Sequence, residues 1–95
     1  MKRPPVKDIR YAVCVDNGDG YYELDLIPRK IYEVWPDRDG DAHGQLRIVD
    51  ETGEDYLFPV EYFRILTLPP GVDRLIRAAS RGPERRRRAA SKARR

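Results

Sequence analysis

The sequence predicts an all-β domain over residues 9–68, a small barrel of five to six short strands with one 3₁₀ turn near its end and a basic tail behind it. Three observations lead there. Apolar residues alternate at period two in short stretches, the mark of half-buried strands. Dense turn chemistry separates those stretches, because Asn, Asp, Gly and Pro favour the dihedrals that turns need. No part of that span carries a sustained helical period, and many short punctuated strands pack as a barrel or sandwich.

The elements follow in order. Residues 1–8 carry Pro4, Pro5 and several charges, so they read as a disordered lead-in. Ile9, Tyr11, Val13 and Val15 alternate with Arg10, Ala12 and Cys14, a first strand with both faces fairly apolar. Asp16-Asn17-Gly18-Asp19-Gly20 is a turn, after which Tyr22, Leu24 and Leu26 resume an alternation through Ile27. Pro28-Arg29-Lys30 breaks it and opens the strand Ile31 to Trp35. Pro36 to Gly44 is polar and reads as a loop; Gln45 to Val49 is the next strand. Asp50-Glu51-Thr52-Gly53 is a tight hairpin turn with Gly53 suited to positive φ. Tyr56 to Phe58 returns along it until Pro59, which cannot donate to a ladder. Val60 to Phe63 suits one 3₁₀ turn, and Arg64 to Leu68 closes as a last strand before Pro69-Pro70-Gly71.

This order resembles an SH3 domain. Glu23-Leu24-Asp25-Leu26 with Pro28 to Val34 is similar to the end of the family's long RT loop and its next strand. Asp50 to Gly53 stands where the distal hairpin belongs. Leu57-Phe58-Pro59-Val60-Glu61-Tyr62-Phe63 resembles the closing pattern of hydrophobic, Pro, two residues, Tyr and hydrophobic. The stretch Asp50 to Pro59 is also similar to small bacterial proteins of unknown function. The resemblance implies a core of Val13 or its neighbours, Leu24, Leu26, Tyr32, Val34, Ile48, Leu57 and Phe63. It also implies an aromatic groove for proline-rich segments. Of that groove the chain retains Pro59 and Tyr62. The paired tyrosines expected after Ala12 are replaced by Val13-Cys14-Val15-Asp16, and His43-Gly44-Gln45 stands where a tryptophan is expected. Tyr21, Tyr22 and Trp35 are the aromatic residues available to rebuild such a surface elsewhere. Asp16, Asp19 and Glu23, with Asp25, make the loop acidic, and in SH3 domains such a loop selects a basic ligand residue.

Catalytic and metal chemistry find little support. Asp37-Arg38-Asp39-Gly40-Asp41 opens like a calcium loop, but Ala42 and Ile48 occupy the sixth and twelfth positions, where glycine and a bidentate Glu are required. His43 is the single histidine and has no second nitrogen ligand. Cys14, the single cysteine, lies in an apolar strand, where a thiol is structural rather than reactive. The expectation is a non-enzymatic protein without cofactor or metal.

Charge divides the chain. Val72 to Arg95 holds ten Lys or Arg against Asp73 and Glu84, a net +8, while Met1 to Gly71 holds nine basic and fourteen acidic residues, a net −5. Residues 69–95 read as a short amphipathic segment, with Val72, Leu75, Ile76 and Ala79 on one stripe, followed by a polybasic disordered tail outside the core. The leading expectation is therefore an interaction module for an unidentified protein or peptide partner, working through Asp16, Asp19, Tyr21, Tyr22, Glu23, Pro59 and Tyr62. The alternative is non-specific binding of RNA or DNA phosphates by Arg85, Arg86, Arg87, Arg88, Lys92, Arg94 and Arg95. No leader-like or membrane-spanning stretch is present, so the expected setting is cytoplasmic, without a membrane partner.

Overall fold

The structure, a computed structural model, describes residues 2–79. Five strands form one antiparallel sheet curled into a half-barrel: β1 Arg10–Cys14, β2 Ile31–Trp35, β3 Gln45–Val49, β4 Asp55–Pro59 and β5 Phe63–Ile65. Their spatial order is β4-β3-β2-β1-β5, so the first strand lies beside the last. Ala12 faces Tyr32 on one side and Ile65 on the other, and Cys14 pairs with Phe63. Two short helices complete the fold, α1 Arg38–Ala42 and α2 Val72–Ala79, with 3₁₀ turns at Val6–Asp8 and Val60–Tyr62. The predicted all-β class and the predicted turn after Pro59 are both present.

The sheet buries side chains on both faces. Ala12, Cys14, Leu26, Tyr32, Val34, Leu46, Ile48, Phe58 and Phe63 make the main core. A second cluster joins Ile9, Tyr11 and Trp35, with Val49, Leu68 and Ile76 packed on it. Strand side chains alternate in direction, so covering both faces of β1 requires apolar residues at consecutive positions. That is why Tyr11-Ala12 and Cys14 are all buried, and why Ala12 and Cys14, rather than Val13, enter the main core.

Several expectations need correction. Residues 21–27 are not a strand: Gly18 to Asp25 is a succession of turns. The Tyr22 carbonyl accepts from the amides of Asp25 and Leu26, which satisfies the backbone locally instead of through a ladder. Leu24 is consequently 84% exposed while Leu26 is fully buried. In β4 the core residue is Phe58, and Leu57 is half-buried against α1. The last strand starts one residue earlier than expected and ends at Ile65, leaving Leu68 to pack on the second cluster. The α2 stripe also splits, for Ile76 joins that cluster and Leu75 stays exposed. The segment beyond Gly71 thus does contribute to packing.

The polar stretch after Trp35 contains the helical turn α1 instead of an irregular loop. Asp37 caps it, accepting from the Gly40 amide at 2.8 Å, as short polar side chains do at helix N-termini. Gly40 lets the turn approach the sheet: a Cβ there would lie 2.8 Å from Leu57 Cδ2 and 3.2 Å from the Gln45 carbonyl oxygen. Arg47 from β3 then clamps Asp37 (2.6 Å) and Asp55 (3.0 Å). The Gly40 amide and the Arg47 guanidinium hold the Asp37 carboxyl below the usual carboxylate range.

Candidate functional site: a tyrosine face in an acidic loop

The segment between β1 and β2 is pinned at several points. Asp16 Oδ1 accepts from the Gly18 amide at 2.8 Å, and Asn17 Oδ1 accepts from the Gly20 amide at 3.0 Å. These side-chain turns let the backbone reverse without a ladder. Asn17 Nδ2 also donates to the Leu26 carbonyl, closing the loop across its base. Leu26 anchors the far end in the core, and the Glu51 amide donates to the Asp25 carbonyl at 2.9 Å. Tyr32 completes the attachment: its hydroxyl accepts from the Ile27 amide at 2.8 Å and donates to Glu51 at 2.6 Å. Burial, and then the bond to Glu51, push the Tyr32 hydroxyl far above its ordinary pKa, so it remains a donor throughout the physiological range.

This pinned loop presents aromatic rings. Tyr21 is 81% exposed and stands edge-on to Tyr22, with centroids 4.8 Å apart. Tyr22 is half-buried; it meets Phe58 of the core at 5.2 Å and Tyr62 at 6.1 Å. Tyr62 arrives from the opposite end of the fold, on the 3₁₀ turn capped by Pro59, and its carbonyl accepts from the Val15 amide at 2.8 Å. Gly18 makes the approach possible. Its φ is +72°, and a Cβ there would lie 2.9 Å from the Tyr62 hydroxyl oxygen. The result is a contiguous row of Tyr21, Tyr22 and Tyr62 backed by Phe58.

Carboxylates surround the row. Asp16, Asp19 and Glu23 are exposed on the loop, and Glu61 is exposed beside Tyr62. Partial burial and then the charges of Asp16 and Glu61, among others, raise the Tyr62 hydroxyl pKa, which places those charges close to the ring. Arg64, two residues beyond Tyr62, is turned to the backbone, its guanidinium donating to the Glu61 and Phe63 carbonyls. The face therefore offers aromatic surface, hydroxyl donors and negative potential together. Such a set suits a ligand with an apolar extended backbone and positive side chains.

Of the seven residues expected to bind a ligand, the structure brings Tyr21, Tyr22 and Tyr62 together with Asp16 near Tyr62, while Asp19 and Glu23 are exposed on the same loop. Pro59 is half-buried, pairs with Gln45 at the end of β4, and caps the turn that delivers Tyr62. Trp35, which sequence reading left available for an aromatic surface, is buried in the second cluster with its Nε1 donating to Glu33. Gly18, Asn17 and Glu61 were missed as contributors. Gly18 sits in an obvious turn motif, but nothing local reveals that Tyr62 comes against it. The basic residues Arg85, Arg86, Arg87, Arg88, Lys92, Arg94 and Arg95 lie outside the described residues.

The remaining candidates are engaged in the fold. Asp37 of the calcium-like stretch is taken up by Gly40 and Arg47. His43 Nδ1 lies 2.7 Å from the Asp39 carbonyl of its own helical turn. Cys14 is fully buried, its thiol donates to the Asp16 carbonyl at 3.3 Å, and burial raises its pKa. A separate cleft of about 740 Å³ runs between α2 and the sheet, bordered by Lys30, Ile31, Glu33, Asp50, Glu51 and Ala79.

No family model, curated protein or solved structure matches the chain. Among the described residues, no helix is long and apolar enough to cross a membrane.

Proposed function

We propose that residues 9–68 are an SH3-like interaction domain whose Tyr21–Tyr22–Tyr62 face docks an extended, basic, proline-bearing segment of a protein partner. The observation that carries this reading is the row itself, three tyrosines contributed by two distant parts of the chain and bordered by Asp16, Asp19, Glu23 and Glu61. The SH3-like assignment draws support from the strand order β4-β3-β2-β1-β5, from the long folded loop between β1 and β2, and from the 3₁₀ turn joining β4 to β5. A polyproline II segment suits such a face because it is already extended, so little ordering entropy is lost on docking. The reading is non-catalytic. The one thiol is enclosed and the one histidine holds its own helical turn, so neither is poised against a partner group.

The test is selectivity between two synthetic proline-rich peptides that differ only in charge. The full chain is expected to bind the arginine-bearing peptide at least about tenfold more tightly than its glutamate-bearing counterpart, a difference of roughly 1.4 kcal/mol. That preference should shrink as salt is raised, because exposed charges are screened. Equal binding of both peptides, or of neither, overturns the proposal.

A further inference from the structure

The tyrosine face needs a basic extended ligand, and the chain carries one. Beyond Ala79 the sequence continues Ser-Arg-Gly-Pro-Glu-Arg-Arg-Arg-Arg, with Pro83 two positions before the four consecutive arginines Arg85 to Arg88. The described part of the fold ends beside acidic residues. Ala79 ends α2 on the border of the cleft, opposite Glu51 and Asp50. Asp50 is only 5% exposed, and its Oδ2 has no hydrogen-bond partner among the described residues. A buried carboxylate oxygen without a donor is costly, and it leaves negative potential beneath the cleft border.

The acidic surface continues from there. The Glu51 amide is bonded to the Asp25 carbonyl, and the Asp25 amide to the Tyr22 carbonyl, both at 2.9 Å. Glu23 adjoins them, with Asp19 and Asp16 further along the loop. The order Ala79, Glu51, Asp25, Glu23, Tyr22 is thus a track of acidic residues joined through the backbone from the cleft border to the tyrosines. Arg29 and Lys30 stand at its beginning, where Glu51 holds the Lys30 ammonium at 2.7 Å. Reach is sufficient. Nine residues from Ala79 to Arg88 extend up to about 30 Å, roughly the diameter of a domain this size.

We infer that the segment Ser80–Arg95 docks in cis along this track, with Arg85–Arg88 beside Tyr21, Tyr22 and Glu23, so that an outside ligand must displace it. This inference rests on the proposed function of the tyrosine face and names the regulation of that face. The charge balance agrees, a net +8 on Val72 to Arg95 against a net −5 on the rest. A connection this short gives an effective concentration of about millimolar. Against an intrinsic dissociation constant of about 100 μM, it lowers the apparent affinity for an outside ligand about tenfold.

The experiment compares the nuclease-treated full chain with its Arg85→Ser, Arg86→Ser, Arg87→Ser, Arg88→Ser variant. Each is titrated with a synthetic peptide of residues 80–95 and, separately, with the arginine-bearing proline-rich peptide. Both peptides are expected to bind the variant about tenfold more tightly than the unsubstituted chain at low salt. The difference should close near 0.5 M salt, where the Debye length falls to about 4 Å. If both proteins bind the proline-rich peptide equally, the cis contact is refuted while the function of the face stands. If neither protein binds it, the function of the face fails and the inference with it. A difference that vanishes on dilution of the unsubstituted chain places the tail on a second copy and refutes docking in cis.

Discussion

Leu26→Ala is expected to lower the unfolding free energy by about 2–5 kcal/mol, the range for deleting a large buried aliphatic side chain. Leu26 is fully buried, yet it belongs to the loop between β1 and β2 rather than to a strand. Its removal opens a cavity between Tyr32, Phe58 and their neighbours and releases the only core anchor at that end of the loop. The loss is large for a small domain, because total stability is itself about 5–15 kcal/mol. Cys14 provides an internal reporter, being fully buried, the single thiol, and raised in pKa by that burial. Where opening is fast relative to modification, thiol labelling tracks the open population, so 2–5 kcal/mol corresponds to about 30- to 5,000-fold faster labelling. The check is the labelling rate at neutral pH with and without Leu26→Ala, alongside urea midpoints. A rate unchanged by the substitution would mean that Leu26 does not hold the core together as described.

Tyr21→Ala is expected to weaken binding of the arginine-bearing proline-rich peptide by about 5- to 30-fold, the 1–2 kcal/mol of a hot-spot aromatic residue. Its ring is 81% exposed and leans on Tyr22 alone among the described aromatic pairs, so the domain should lose no more than about 0.5 kcal/mol of stability. This separation of effects makes Tyr21 more informative than Tyr22, whose ring also packs on Phe58. Tyr21→Phe retains the ring and should retain most of the affinity. The comparison belongs in the Arg85–Arg88→Ser background, where the chain's own basic run does not compete for the face. Isothermal calorimetry on the three proteins measures it.

The strands were legible because each carries a period-two pattern bounded by turn residues. Ile48, Val34 and Tyr32 were placed in the core correctly for that reason, and Gly53 marked the hairpin. Reading failed where apolar residues are consecutive. Tyr56-Leu57-Phe58 fits either parity, and only the position of Gly40 and α1 decides that Leu57 turns toward the helix. The loop failed for a different reason. Tyr22, Leu24 and Leu26 mimic a strand, but Asp16 and Asn17 offer side-chain acceptors that fold the backbone into successive turns. That folding is what exposes Tyr21 and Leu24 while burying Leu26. The acidic half of the candidate site was readable from composition. Its aromatic residues were named as well, but their meeting was not readable, because Tyr62 lies about forty residues from Tyr22 in sequence, and their approach depends on the closure of β5 on β1, a long-range pairing with no local signal.

The central claim concerns where a basic ligand lands. The most direct measurement is a nuclear magnetic resonance titration of the isotopically labelled Arg85→Ser, Arg86→Ser, Arg87→Ser, Arg88→Ser chain, in which the basic run does not compete, with the arginine-bearing proline-rich peptide. The account predicts that the largest amide shifts fall on residues 18–24 and on Tyr62, with Ile31, Glu33 and Ile76 at the cleft beside α2 little changed. Largest shifts at that cleft, or none anywhere at saturating peptide, would contradict it.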